Sequence, residues 1–202
     1  MTSRLVDEAA RLLAEHGPAG LSLRKLAAAV GVSTMPVYTL FGDKQGLLRA
    51  MYREGFRRLG EQLRAVPRTD DPLADLRQLG AAYRRAALDS RHLYSLMFGR
   101  PVPEFSPDGE DRAIAEAAYR PLSEAVARCQ RAGLLAGDDP ERITLHLWAV
   151  AHGMVSLELN QQLPDIGTAE QLYGEALALA GTPFRVPDDE PAVPAPAQPR
   201  PE

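Results

Sequence analysis

Apolar residues recur at helical spacing almost from the first position. Leu5, Val6, Ala9, Leu12 and Leu13 fall at i, i+1, i+4, i+7 and i+8 over residues 3–16, one face of an amphipathic helix. Gly17-Pro18 ends that pattern. Ser22 then reads as the N-cap of a short helix from Leu23 to Val30, with Leu23, Leu26, Ala27 and Val30 as its stripe. Gly31-Val32 makes a tight break. Ser33 caps a second short helix from Thr34 to about Leu40, with Pro36 in its first turn, where a missing N–H costs little. Phe41-Gly42 breaks the pattern again. Asp43 caps a long helix to about Ala65, whose inward face reads Leu47, Leu48, Met51, Tyr52, Phe56, Leu59 and Leu63.

Beyond a Pro/Asp-containing link at Pro67 to Pro72, the periodicity stays helical. Helices are expected over 73–89 and 91–98, then a loop from Pro101 to Gly109. A helix from about Asp111 to Leu135 carries Pro121, which predicts a kink or break. A markedly apolar helix runs from Pro140 to Leu163, and a last one from Thr168 to Ala180. Six of the seventeen residues from Val186 on are proline, so a disordered tail is expected at the C-terminal end, over 183–202. No strand pattern or internal repeat stands out. The fold class is all-α.

Composition adds limits rather than detail. Of 202 residues, 45% are hydrophobic and 25% charged, which is ordinary for a globular protein. The single cysteine, Cys129, excludes an internal disulfide and a cysteine-cluster metal site. No apolar stretch approaches the ~20 residues that cross a bilayer, so a cytoplasmic protein with no membrane partner is expected. Charge is more telling when divided along the chain. The net of −4 splits into +4 over residues 1–65, ten basic side chains against six acidic, and −8 over the remainder. A basic first third on an acidic body suggests that the first third meets a polyanion.

Two short helices joined by a glycine-containing turn, Ser22–Val30 and Ser33–Leu40, form a helix-turn-helix with a supporting helix on each side. Leu26, Val30 and Val37 supply the small apolar triangle that holds the two helices at a steep angle. The second helix can then offer its first residues to the major groove of double-stranded DNA. Small Ser33 and Thr34 allow close approach of the backbone, while Tyr38 and Thr39 reach phosphates or base edges. Arg49, Arg53 and Arg57 recur four apart and read as a solvated stripe, with Arg57–Glu61 a surface pair. An enzyme is not indicated. The chain has four histidines, one cysteine and no nucleophile elbow, phosphate loop or His-x-x-x-His motif, and neither a metal nor a cofactor is expected.

Residue identities carry more than the spacing. Leu23-Arg24-Lys25-Leu26-Ala27-Ala28-Ala29-Val30-Gly31-Val32-Ser33, followed by Val37-Tyr38-Thr39-Leu40-Phe41-Gly42-Asp43-Lys44-Gln45-Gly46-Leu47-Leu48, resembles the DNA-binding domain of the tetracycline-repressor (TetR) family. The resemblance covers about residues 4–50. It implies that Ser33, Thr34, Met35 and Thr39 contact base edges or nearby phosphates, that Tyr38 and Lys44 bind phosphates, and that Ser22 and Arg24 touch the backbone. Only Met1 to Ser3 precede the first helix, so the basic arm of some members is not expected; Pro36 and Leu40 also depart from the usual recognition helix.

Less specifically, Trp148-Ala149-Val150-Ala151-His152-Gly153 resembles the Trp-x-x-x-His-Gly element of one regulatory-domain class in that family, and His92 to Gly99 is similar to a segment upstream of it. The implied organisation is a DNA-binding domain over 1–50, a long helix to about 65, and a helical ligand-binding and dimerisation domain over 66–182. The implied partners are a palindromic operator, a second copy of the chain, and a small-molecule effector. Tyr83, Phe98, Phe105, Tyr119, Trp148 and His152 are the candidates to line a pocket for that effector. A constitutive DNA-binding protein without ligand control is the alternative.

Overall fold

A computed structural model of the chain describes residues 1–137 and 139–186. Nine α-helices follow one another among the described residues: α1 (Thr2–Gly20), α2 (Leu23–Val30), α3 (Thr34–Phe41), α4 (Lys44–Arg64), α5 (Pro72–Asp89), α6 (Arg91–Gly99), α7 (Gly109–Arg131), α8 (Pro140–Leu159) and α9 (Ala169–Gly181). A single 3-10 turn, Thr182–Phe184, closes the described chain, and Arg185 pairs with Leu135 in an isolated antiparallel bridge. No strand forms among the described residues, as the periodicity anticipates.

Side-chain caps start most of these helices. Ser22 Oγ accepts from the Lys25 N–H and Asp43 from Gly46. Asp71 and Asp139 accept from the first turns of α5 and α8, both of which open on proline. Asp108 with Asp111, and Thr168 with Gln171, make reciprocal capping boxes at α7 and α9. Ser33 differs from expectation: it occupies the N-cap position of α3, but its hydroxyl makes no capping bond.

Three boundaries also move. Gly17 (φ 64°, ψ −173°) takes the backbone out of the helix and kinks α1 where the sequence places its end, and Pro18 to Gly20 add a separate short turn. Helix α7 runs through Pro121 unbroken and stops at Arg131. There Gly133 (φ 70°) turns the chain and Leu134 N–H donates to the Cys129 carbonyl. Helix α8 ends at Leu159, with Asn160 as its C-cap. The chain past 182 is described to Val186 rather than forming tail at once, because the Phe184 carbonyl accepts from the Ala136 N–H and the Val186 N–H donates to the Leu134 carbonyl in the α7–α8 connection. Residues 187–202, the rest of the expected tail, lie outside the described residues.

Helix α4 is the spine. Its 21 residues reach about 30 Å. Leu47, Leu48, Met51, Tyr52, Phe56, Leu59 and Leu63 are all buried, against α1 and α3 near its start and α5, α6 and α7 further along. Gly60 lets α7 come close, since a Cβ there would sit 3.2 Å from Ala118 Cα. The apolar core is continuous from Leu5 in α1 to Tyr173 in α9, so the first three helices share it with the rest. A smaller cluster, including Val126, Cys129 and Ile143, lies beneath the last turn.

Candidate nucleic-acid interface

The helix-turn-helix is built from the inside. Leu26 and Val37 are fully buried and Phe41 nearly so, and Val30 packs on the same core. Val37 and Phe41, four apart, turn one face of α3 inward, which leaves the opposite face to solvent. Ser33, Thr34, Met35, Tyr38 and Thr39 all stand exposed there, together with Leu40. Ser22 is half-buried as the cap of α2, and Arg24 is exposed one residue into that helix.

Charge is distributed differently from what the sequence suggested. Of the ten basic residues in 1–65, five are held by carboxylates. Arg11 pairs with Glu8 and Glu15, Arg57 with Glu54 and Glu61, and Arg58 with Glu54 and Asp7. The expected Arg57–Glu61 pair is present, yet Arg49 and Arg53 are not a solvated stripe. Both reach across to the start of α7, where their Nε atoms lie 3.3 and 2.6 Å from the fully buried carboxylate of Asp111. The other five make no ion pair among the described residues: Arg24, Lys25 and Lys44 on or next to the helix-turn-helix, Arg4 at the start of α1 and Arg64 at the end of α4. Three of the five unneutralised charges of this region thus fall at the helix-turn-helix.

Lys44 Nζ donates to the Pro18 carbonyl and Lys25 Nζ to that of Ala19, 3.2 Å away. The two ammonium groups thus flank the turn after the α1 kink, beside the N-termini of α2 and α4, where free N–H groups favour an anion. The position of Lys25 was not legible from its own signal. Only the long-range pairing of neighbouring arginines singles it out.

A second feature lies in the other half. A cavity of about 590 Å³ opens between α5, α7, α8 and α9. Tyr83, Tyr119 and Trp148 line it, and Leu63 brings the last turns of α4 into its wall. The remaining three pocket candidates lie elsewhere. Phe105 is buried against Tyr52, because the 101–108 loop folds back on α4, and Phe98 is packed between Phe56 and Tyr94. His152 faces the same aromatic layer. It stacks near Tyr94, whose hydroxyl is 2.7 Å from its Nδ1, and it does not border the cavity.

A polar chain runs through this layer: Trp148 Nε1 donates to Tyr83 Oη, which meets Tyr94 Oη at 2.9 Å. Tyr119 Oη is buried with no hydrogen-bond partner among the described residues. Burial pushes the Tyr83 phenol up to about 12 and raises Tyr94 and Tyr119 as well, so all three stay neutral donors at neutral pH. Burial lowers His152 below its ordinary value. A neutral His152 therefore contributes stability above about pH 6.5 that is lost as the pH falls below it. Thermal unfolding between pH 7.5 and 5 is expected to show a larger loss for the wild type than for His152→Gln; parallel losses would contradict the assignment.

The two halves of the chain that carry these features match known families. Residues 5–51 match the model of bacterial regulatory proteins of the tetR family, and residues 76–180, more than half the chain, that of the tetracyclin repressor-like C-terminal domain. The chain belongs to the TetR family. It is 28% identical over 191 residues to the HTH-type transcriptional repressor AcnR of Corynebacterium efficiens, covering 91% of this chain and 92% of that one. It is 27% identical over 142 residues to the HTH-type transcriptional regulator Rv1816 of Mycobacterium tuberculosis, covering 67% of this chain but 58% of the relative's length. A Rhodococcus sp. RHA1 protein of unknown function superposes with a TM-score of 0.77 at 28% identity, covering 92% of this chain and 95% of that chain. Within this TetR-family chain no group of metal-binding side chains occurs among the described residues. No described helix is long and apolar enough to cross a membrane.

Proposed function

We propose that this chain is a transcriptional regulator, a repressor, that binds a palindromic operator as a dimer and releases it when a small, largely apolar molecule occupies the inner cavity. The observation that carries the reading is the pairing pattern of the basic residues. Carboxylates hold Arg11 of α1 and Arg49, Arg53, Arg57 and Arg58 of α4, while Arg24, Lys25 and Lys44 make no ion pair among the described residues and lie on or next to a helix-turn-helix whose second helix keeps its outer face exposed. The relative AcnR, named a repressor, supports the sign of the regulation. Catalysis forms no part of the proposal.

The domain division follows the same reading. Residues 1–50 bind DNA, α4 transmits, and residues from 66 to about 182 hold the effector and the dimer contact. Trp148 and His152, four apart on α8, face the same tyrosine layer, which fits the Trp-x-x-x-His-Gly type of regulatory half. Effector contacts fall to Tyr83, Tyr119 and Trp148.

Lys44→Ala is expected to weaken binding to every duplex and to flatten the dependence of log affinity on log salt by about 0.9 for each phosphate released. Fluorescence anisotropy across a salt series reads both; an unchanged slope would remove Lys44 from the interface. The dimer is expected through α8 and α9, which pair into a four-helix bundle and leave Leu145, Leu157 and Leu179 exposed in the single chain. Light scattering at micromolar concentration is expected to give twice the 22.0 kDa chain mass, and a monomeric mass would reject this interface.

A further inference from the structure

Helix α3 carries no group suited to the strong base contacts. Its eight residues, Thr34-Met35-Pro36-Val37-Tyr38-Thr39-Leu40-Phe41, include no Arg or Lys to fork onto guanine. They include no Asn or Gln for adenine and no Asp or Glu for the cytosine amino group. The hydroxyls of Thr34 and Thr39 both donate and accept, so they discriminate weakly. One base-edge feature remains that apolar side chains read well: the 5-methyl group of thymine.

Three of the chain's exposed large hydrophobic side chains, Met35, Tyr38 and Leu40, lie on this one short helix, and Met35 is 72% exposed. Met35 and Thr39 are four apart and point directly away from the buried Val37 and Phe41, so they lead the helix surface. Among the described residues, packing leaves most of the Met35 side chain uncovered. An apolar face kept in water on a helix flanked by Arg24, Lys25 and Lys44 fits DNA, since those cations take the phosphates and leave α3 facing the groove.

Resting on the proposed DNA-binding function, we infer that this recognition helix reads thymine methyl groups, with Met35 as the principal specificity-determining residue and Thr39 beside it. Each operator half-site is then fixed by T·A pairs, and G·C pairs are not specified by direct contact from α3. Burying one methyl group corresponds to about four-fold in affinity, so one contact in each half-site of a palindrome gives about fifteen-fold.

The test begins with selection of bound duplexes from a random library by the full chain. Each thymine of the selected palindrome is then replaced by deoxyuridine, which removes only the methyl group. The expected result is a fixed thymine in each half-site whose double replacement weakens the wild type about fifteen-fold. Met35→Ala, at an exposed position that leaves the fold intact, is expected to bind the thymine duplex more weakly and to lose the sensitivity to deoxyuridine. Met35→Leu is expected to retain it. Equal wild-type affinity for thymine and deoxyuridine duplexes, or a consensus fixed only by G·C pairs, overturns the inference and leaves the DNA-binding reading standing. A chain that enriches no duplex at all overturns both.

Discussion

Asp111→Ala is expected to destabilise the protein by about 2–4 kcal/mol, because one side chain completes two structures at once. Its carboxylate accepts from the Asp108 N–H to close the capping box of α7, a bond class worth about 1 kcal/mol. It also receives the Nε atoms of Arg49 and Arg53 from α4, and hydrogen bonds to charged groups contribute about 1.5–3 kcal/mol. The total stays below the simple sum because both guanidiniums are partly exposed and keep water, Asp108 and Glu110 as partners. Urea titration measures the change. Glu110→Ala, at an exposed carboxylate, is expected to lie within about 0.5 kcal/mol of the wild type. Burial opposes ionisation of Asp111, but Arg53, the Asp108 N–H and Arg49 outweigh it and hold the carboxyl below its ordinary range. This contribution is therefore complete above about pH 4 and is lost as the pH falls through the lowered value.

Occupation of the inner cavity by an apolar molecule is expected to lower operator affinity by about 5–150-fold, a coupling of about 1–3 kcal/mol. Leu63 forms part of the cavity wall near one end of α4, and Lys44 stands at the other end beside the recognition helix. A tilt of α4 changes the separation of the two recognition helices in a dimer. That separation must match about 34–36 Å, one duplex turn, for both half-sites to be held. Reciprocity gives the measurement. Trp148, the chain's one tryptophan, lines the cavity, so quenching of its fluorescence reports ligand affinity with and without saturating operator. Equal affinities would sever the cavity from DNA binding.

The helices and the corner of the helix-turn-helix were legible because they rest on local signals. Helical spacing, Ser22, Asp43 and the glycine breaks act over a few residues, and the buried set of α4 follows directly from its stripe. What the sequence hid depends on partners far along the chain. Arg49 and Arg53 look like a solvated face until Asp111, about sixty residues on, is placed against them. Phe98 and Phe105 look equivalent to Tyr83 and Trp148 as pocket aromatics. Only the way the 101–108 loop folds back decides which rings fill the core and which border space. Pro121 does not break α7, which continues through it while packed against α4, α5 and α8.

The short turn after α9 divides labour within the cavity. Phe184 and Arg185 border it, fastened by the Leu135–Arg185 bridge, yet they belong neither to α4 nor to the helices that touch it. Under the proposed ligand control, this part of the cavity wall stands apart from the part that α4 contributes through Leu63. Substitutions in this closing turn are expected to change which molecule fits while the proposed relay through Leu63 is left as it was. On that reading, a lineage carrying this architecture has a route to new effectors that does not pass through loss of the proposed switch.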